Sequence, residues 1–312
     1  MMEHIEQFIF HCTYEKNLSD KTLKAYKIDL KQFVCFVGSK YGNTLGIADV
    51  DKHIVRGYIK SLFDLGYKAK TVKRKIATLK AIFTYMEAEE VIVVSPFRKM
   101  QLSIKEPLNL PKTIKLSDIK KLLIFMYQYK GMSKNKSSYG YMALVRDIAI
   151  IELLFATGMR VGEICSIKKK DIDINTGLIK VLGKGSKERT IHFCNNQARD
   201  TIREYARLFF DEIAQSKHFF INREKNHISE QSVRLMIKRY CSLAKIKTHI
   251  TPHMFRHSMA TLLLEEGVDI RYIQHMLGHA SISTTQIYTK VNQKQQKKIL
   301  STKHPRRLFS AI

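Results

Sequence analysis

The sequence contains few cysteines, and their spacing excludes several kinds of site. The five cysteines are odd in number, lie far apart and form no CxxC pair. They are Cys12, Cys35, Cys165, Cys194 and Cys241. This pattern provides neither a disulfide framework nor a cysteine-based zinc site, and it predicts a protein of the reducing cytoplasm.

Long apolar runs are missing as well. The most apolar stretch, residues 148–156, is short and is interrupted by Glu152. The first residues, MMEHIEQFIFHC, show no basic region followed by a long apolar run, so no signal peptide is predicted. Because a membrane-spanning helix needs about 20 mostly apolar residues, we expect no contact with a membrane.

Acidic residues are strongly outnumbered. Lys and Arg total 54 against 28 Asp and Glu, which gives a net charge of +26 and a pI near 9.8. Residues 1–105 hold 18 basic and 11 acidic residues, or +7, and residues 106–312 hold 36 and 17, or +19. Such a charge favours a polyanionic partner, most commonly nucleic acid, although composition alone also fits a basic ribosome-associated factor.

Prolines are rare, and three of the five lie close together. Pro96, Pro107 and Pro111 fall within SPFRKMQLSIKEPLNLPK. Proline removes a backbone donor and disfavours helix at the preceding residue, so this stretch predicts an extended linker. We place the linker at residues 106–113, between a first domain at 1–105 and a second at 114–312.

The first domain has a helical pattern throughout. A helix over 20–37 is expected to begin at Ser19 as N-cap and to bury a face that includes Leu23 and Phe33. A later helix covers KAKTVKRKIATLKAIFTYME. The two helices present basic side chains that could contact DNA phosphates or simply face solvent: Lys24, Lys27, Lys31, Lys70, Lys73, Arg74 and Lys80.

The second domain has a mixed pattern. A buried helix over about 143–157 is expected to stop at Gly158, and strands at 178–182 and 189–193 are expected to pair through the turn GKGSKE. Further helices are predicted at about 196–214, 229–245, 252–266, 269–277 and 282–289, and a third strand at 218–222. The fold class is therefore mainly α with a small antiparallel β-sheet.

The string THITPHMFRHSMATLLLEEG predicts a phosphate site at a helix N-terminus. Thr251 is the expected N-cap and Pro252 the first helical residue, which puts His253 and Arg256 on one face beside free N–H groups. Alternatively, Arg256 pairs with an acidic residue and His253 lies on the surface.

The HxxxH pairs His253/His257 and His275/His279 could hold a metal, but the first lacks the Glu of HExxH and no cysteine lies near, so no metal site is predicted.

Other motifs are weak when taken singly. GKGSK is not a Walker loop, because that loop needs GxxxxGK followed by Ser or Thr; the two glycines instead suggest a hairpin tip that presents Lys184, or a plain solvated turn. Arg160 follows a helix end, and Tyr288 lies in a short predicted helix where a tyrosine is commonly packing.

Taken together and in order, these positions resemble the active-site series of the tyrosine recombinases. The series is Arg160, Lys184, His253, Arg256, His279 and Tyr288. The flanking strings TGMRVGE, GKGSKER, TPHMFRHSMAT, LGHASISTTQIYT and KHPRR are also similar to those of the family, and the likeness covers nearly the whole chain. It departs from compact Xer-type members at 129–142, which looks longer, and at Lys290, where many members have His.

The resemblance implies a fold and a reaction. The first domain would be a SAM-like core-binding domain and the second the catalytic domain, closing on DNA as a clamp. Tyr288 would form a 3′-phosphotyrosyl bond without ATP or another cofactor, helped by the other five residues, with Glu163 supporting Arg160. The reaction would serve a mobile element or Xer-type dimer resolution.

The resemblance also implies an assembly. The partners would be double-stranded recombination sites, three further subunits in a homotetramer or heterotetramer, and an accessory DNA-bending protein. The residues after Tyr288 would dock on a neighbouring subunit, or else pack on their own domain. Three other functions stay open at this point: a non-catalytic DNA-binding protein, a type IB topoisomerase and a metal-dependent nuclease, although the carboxylate cluster that a nuclease needs is not seen.

Overall fold

The computed structural model describes residues 1–42, 44–106, 112–182, 188–278 and 293–309. The chain divides into two compact units, Met1–Asn109 and Leu110–Ile312, each with its own apolar core. The architecture is mainly helical with one small antiparallel sheet, as the sequence predicts. No helix in the described ranges is long and apolar enough to cross a membrane.

The described residues of the first unit form four α-helices. They are α1 (Met2–Phe10), continued by one π-helical turn at His11–Glu15, α2 (Asp20–Tyr41), α3 (Lys52–Asp64) and α4 (Ala69–Ala88). The Ser19 hydroxyl accepts the N–H of Thr22, so the predicted N-cap of α2 is confirmed. Asp51 caps α3 in the same way by accepting the N–H groups of His53 and Ile54.

A buried ionic cluster joins α2 to α4. The carboxylate of Asp29 accepts hydrogen bonds from Lys75 at 3.0 Å, from Thr78 at 3.2 Å and from Arg74. Lys75 also donates to Gln32. A buried charge is tolerated when it is paired and hydrogen-bonded, and this cluster meets both conditions in the helical core.

The second unit contains nine described α-helices and three strands. The helices are α5 (Leu116–Gly131), α6 (Tyr139–Thr157), α7 (Val161–Cys165), α8 (Asn196–Leu208), α9 (Phe210–Gln215), α10 (Glu230–Leu243), α11 (Pro252–Glu265), α12 (Ile270–Leu277) and α13 (Gln293–Thr302). Short 3₁₀ turns lie at Lys169–Asp171 and Pro305–Leu308. Helix α6 is almost wholly buried and ends, as predicted, at Gly158 in the left-handed conformation (φ +60°).

The sheet has the order β1 (Ile172–Asp173), β2 (Leu178–Leu182) and β3 (Glu188–His192), with both pairings antiparallel. The predicted hairpin of β2 and β3 is confirmed, and its last described pair is Leu182 opposite Glu188.

The strand predicted at 218–222 is wrong. This stretch forms only isolated bridges, because the Tyr205 hydroxyl donates to Phe219 O at 2.8 Å and accepts Ile221 N–H at 3.2 Å. The hydroxyl of a buried side chain thus makes the hydrogen bonds that a neighbouring strand would otherwise make with this backbone.

The prediction of a single helix over 196–214 is also wrong. Phe209 leaves the helical conformation between α8 and α9, and its ring packs 4.9 Å from that of Tyr205.

Residues 304–309 pack on their own unit. Arg306 is fully buried and bonds Glu152 of α6 through Nε at 2.9 Å and a terminal nitrogen at 2.7 Å. The buried His304 ring bonds Phe155 O at 3.1 Å, and burial lowers the pKa of His304 to about 4. Residues 304–309 therefore follow the alternative of packing on their own domain, with Phe309 in this unit's core, and docking of the segment on a neighbouring subunit stays a prediction.

We expect Arg306→Met to lower the stability of the free protein by about 3–5 kcal/mol, because it leaves the carboxylate of Glu152 buried without its guanidinium. Arg307→Met is the matched control, since Arg307 is the next residue and is exposed. Urea unfolding followed by circular dichroism measures both variants. Equal stability of the two variants would contradict an anchoring role for Arg306.

Candidate active site

The start of helix α11 places two of the predicted site residues on its first turns. Pro252 occupies the first helical position, as expected. Thr251 is the N-cap residue, but within the described residues its hydroxyl makes no capping hydrogen bond; its carbonyl accepts the N–H of Met254 instead. His253 is exposed on the first turn, and Arg256, one turn further on, is buried.

Arg256 connects the ends of three helices. Its guanidinium donates to Gly158 O at 2.9 Å and to Leu277 O at 2.5 Å, the carbonyls at the C-terminal ends of α6 and α12. Gly158 is required there, because a Cβ at that position would lie 2.8 Å from Leu277 Cδ2 and 2.9 Å from Met259 Sδ. Two carbonyl oxygens at helix ends therefore hold this guanidinium.

Arg256 lies in a strongly positive environment. Burial, the largest cause, and the charges of Arg160 and Arg189 together lower its pKa to about 10, against the opposing charge of Glu163. Arg256 therefore stays protonated near neutral pH. Among the described residues, the charges that act on Arg256 are those of Arg160, Arg189 and Glu163, so the group contains three guanidinium groups and one carboxylate. Such an excess of positive charge favours an anionic ligand.

Arg160 is held by the carboxylate of Glu163. It is the N-cap residue of α7, where its backbone N–H donates to Glu163 Oε2 at 2.8 Å and its side chain donates to Oε1 at 3.0 Å. Burial by itself raises the pKa of Glu163, but hydrogen bonds from Arg189 and Arg160 hold it below its usual value. Glu163 thus stays ionised and orients Arg160, whose side chain is two-fifths exposed.

The sequence did not predict the second partner of Glu163. Arg189, in strand β3, donates to both carboxylate oxygens, at 3.1 Å to Oε1 and 2.8 Å to Oε2. The only available signal was its place in the KER string two residues beyond the GKGSK turn, since nothing local indicates a partner 26 residues earlier in the chain.

His253 belongs to the same electrostatic group. Desolvation, followed by the charges of His257, Arg234, Arg256 and Arg160, lowers its pKa. The imidazole is therefore neutral at pH 7 and can accept a proton. The Arg256 guanidinium bonds the carbonyl of Gly158, two residues before Arg160, and the charge of Arg160 acts on both His253 and Arg256.

The other three predicted residues, Lys184, His279 and Tyr288, lie outside the described residues. The elements that flank them are described: β2 ends at Leu182, β3 begins at Glu188, and Gly278 ends α12 in the left-handed conformation (φ +67°). Among the described residues, no group of three His, Cys, Asp or Glu side chains could hold a metal ion.

All seven basic side chains singled out on α2 and α4 are exposed. Lys24, Lys27 and Lys31 lie along α2, and Lys70 lies near the start of α4. The rest make local contacts: Lys73 pairs with Glu106 at 3.1 Å, Lys80 lies over the ring of Phe97 at 5.8 Å, and Arg74, half exposed, pairs with Asp29.

Known proteins resemble this chain over almost its whole length. The sequence model of the phage integrase family matches residues 127–295, and that of the phage integrase N-terminal SAM-like domain matches residues 5–90. A tyrosine recombinase of Agathobacter rectalis is 45% identical, over 99% of this chain and 98% of that protein. Tyrosine recombinase XerC of Thermodesulfovibrio yellowstonii is 35% identical, over 97% of this chain and 96% of its own length.

Solved structures show the same fold. The XerH site-specific recombinase bound to a palindromic difH substrate has a TM-score of 0.68 at 20% identity, covering 96% of this chain and 84% of XerH. A lambda integrase dimer bound to a COC′ core site has a TM-score of 0.63 at 19% identity, covering 90% and 95%. The chain belongs to the phage integrase family of tyrosine recombinases. It is a site-specific recombinase, an enzyme that acts on DNA.

Proposed function

We propose that the chain cleaves a DNA strand by attack of the Tyr288 hydroxyl on a phosphodiester. The new bond joins the tyrosine oxygen to phosphorus, the bond to the 5′ oxygen breaks, and a 3′-phosphotyrosyl linkage and a 5′-hydroxyl result. Attack by a 5′-hydroxyl of another strand reverses the step and exchanges strands. The observation that supports this most directly is that Arg256 bonds Gly158 O, two residues before Arg160, while His253 lies on the preceding turn of α11.

The two arginines have the charge and the anchorage to stabilise the transition state. Negative charge builds on the non-bridging phosphate oxygens as the tyrosine attacks, and fixed guanidinium donors stabilise it without reorganising. Arg256 is fixed by Gly158 and Leu277, and Arg160 is fixed by Glu163.

Two proton transfers accompany the changes in bonding at phosphorus. His253, with its lowered pKa, accepts the proton of the Tyr288 hydroxyl, and Lys184 donates one to the departing 5′ oxygen. His279 donates a hydrogen bond to the phosphate. The phosphotyrosyl bond keeps the energy of the broken phosphodiester, so rejoining needs neither ATP nor another cofactor.

The two domains divide the work. Residues 1–105 form a core-binding domain that holds the duplex through the basic side chains of α2 and α4, residues 106–113 form the linker, and residues 114–312 carry the chemistry. Two such domains form a clamp on one site. Four subunits, in a homotetramer or heterotetramer, bring two double-stranded sites together in the cytoplasm, with an accessory DNA-bending protein where the site requires one.

Covalent capture tests this proposal without knowledge of the target sequence. The full-length chain is incubated with nicked duplexes that have a randomised core, and DNA that stays attached in detergent is sequenced. Mass mapping of the nucleotide-bearing peptide should identify Tyr288. A non-catalytic DNA-binding protein would give no adduct, and a type IB topoisomerase would give adducts but no exchange between two captured sites.

The salt dependence of DNA binding should report both domains. Log affinity falls by about 0.9 per phosphate contact for each log unit of salt, so we expect a slope on the order of 6 or more for the whole chain. Residues 112–312, which hold an apolar core of their own, should give a clearly shallower slope. Fluorescence anisotropy on a captured duplex measures both, and equal slopes would mean that the first domain does not touch DNA.

A further inference from the structure

We propose that Arg189 is a positioning residue that keeps Arg160 available to the scissile phosphate. The inference rests on the proposed function and deepens it. Arg189 donates hydrogen bonds to both carboxylate oxygens of Glu163, at 3.1 and 2.8 Å. The Arg160 side chain donates to Oε1 alone, at 3.0 Å. Arg189 and Glu163 are both nearly buried, while Arg160 is two-fifths exposed. The bidentate pair of Arg189 and Glu163 therefore lies in the interior. The guanidinium of Arg160 lies on the exposed side, from which a ligand can approach.

The charges explain why one carboxylate has two arginines. With Arg189 in place, the group Arg160–Glu163–Arg189 carries a net charge of +1, because two guanidinium groups share one carboxylate. The charge of Glu163 is largely satisfied by the bidentate contact. Without Arg189, Arg160 and Glu163 would form a neutral pair. The carboxylate would then draw the Arg160 guanidinium inward and weaken its hold on a phosphate.

Arg189 also contacts the residue before His279. A Cβ added to Gly278 would lie 3.2 Å from each of Cζ, Nε and a terminal nitrogen of Arg189, so the guanidinium lies flat against this glycine. Its Nε is buried and has no hydrogen-bond partner among the described residues. Arg189 thus joins β3, which follows the Lys184 connection, to α7 with Arg160 and to the end of α12.

The test uses the full-length chain and a duplex obtained by covalent capture with the wild-type protein. Single-turnover cleavage rates and duplex affinities are measured for Arg189→Ala, Glu163→Gln and the double variant. We expect Arg189→Ala to slow cleavage by about tenfold to hundredfold with affinity almost unchanged, the size typical of one contact within a coupled network. In the Glu163→Gln background, where the carboxylate charge is gone, the same substitution should slow cleavage by less than about threefold.

Two further variants separate positioning from folding. Arg203→Ala is the matched control, because Arg203 pairs with Asp200 on the exposed surface and should cleave at the wild-type rate. Arg189→Lys keeps the positive charge but cannot make the bidentate contact with both oxygens of Glu163. It should slow cleavage by about threefold to tenfold when Glu163 is present and hardly at all in the Glu163→Gln background. The Lys variant decides the question if the Ala variant does not fold.

An equal loss of rate in the wild-type and Glu163→Gln backgrounds would overturn the proposal, because Arg189 would then act through some other group. A loss of affinity equal to the loss of rate would overturn it as well and would assign Arg189 a structural or DNA-binding role. Failure of the proposed function has a different signature, since the wild-type chain would then capture no DNA at all.

Discussion

Tyr288→Phe is expected to abolish the covalent protein–DNA adduct while leaving DNA affinity almost intact. The substitution removes one oxygen atom, the proposed nucleophile, and no other side chain of the active-site series can replace it in the same geometry. The arginines that contact the phosphate are unchanged, so the duplex should still bind.

The measurement is gel separation of adducts in detergent, beside fluorescence anisotropy on the same duplex. Tyr129→Phe is the control, because this partly exposed tyrosine of α5 stacks on Phe125 with centroids 5.9 Å apart and loses only its hydroxyl. It should form adducts at the wild-type rate. Substantial adduct formation by Tyr288→Phe would end the assignment of the nucleophile.

Lys184→Ala should slow cleavage of ordinary DNA by about 10²–10⁴-fold. A 5′-alkoxide is a poor leaving group because its conjugate acid is weak, so a positioned proton donor should matter. The hairpin that carries Lys184 is linked to the site, since Arg189 in β3 bonds Glu163 and Glu163 bonds Arg160.

A bridging 5′ sulfur distinguishes proton donation from other roles of Lys184. Sulfur leaves without a proton, so the Ala variant should regain most of its cleavage rate on this substrate. Arg160→Ala, which loses stabilisation of charge on the non-bridging oxygens instead, should not regain it. Equal rescue of both variants, or of neither, would remove Lys184 from the general-acid role and direct attention to Lys187 or His279.

The sequence predicted best those features whose physical cause is local. Ser19 caps α2 with its own hydroxyl, and Gly158 ends α6 because only glycine takes the left-handed conformation easily. The strings LIKVL and RTIHF on either side of the turn GKGSKE predicted the hairpin of β2 and β3, and Pro252 marked the first residue of α11. Each of these signals lies within a few residues of its effect.

Prediction failed where a distant side chain decides the local structure. The stretch at 218–222 has the composition of a strand, yet the hydroxyl of Tyr205 takes its backbone partners. The helix predicted over 196–214 divides at Phe209, whose ring is buried beside that of Tyr205. No periodicity within either segment reports such a contact.

By itself, the sequence determined the fold class and the basic character, because these depend on composition and local pattern, and its motifs resembled those of the family to which the chain belongs. Only the tertiary structure decided how the charges are shared. Arg306 reaches Glu152, 154 residues away, and Arg189 shares Glu163 with Arg160 across a 26-residue separation. A buried charge needs a partner, but which partner it finds depends on how the helices and the sheet pack, and the order of residues along the chain does not record that.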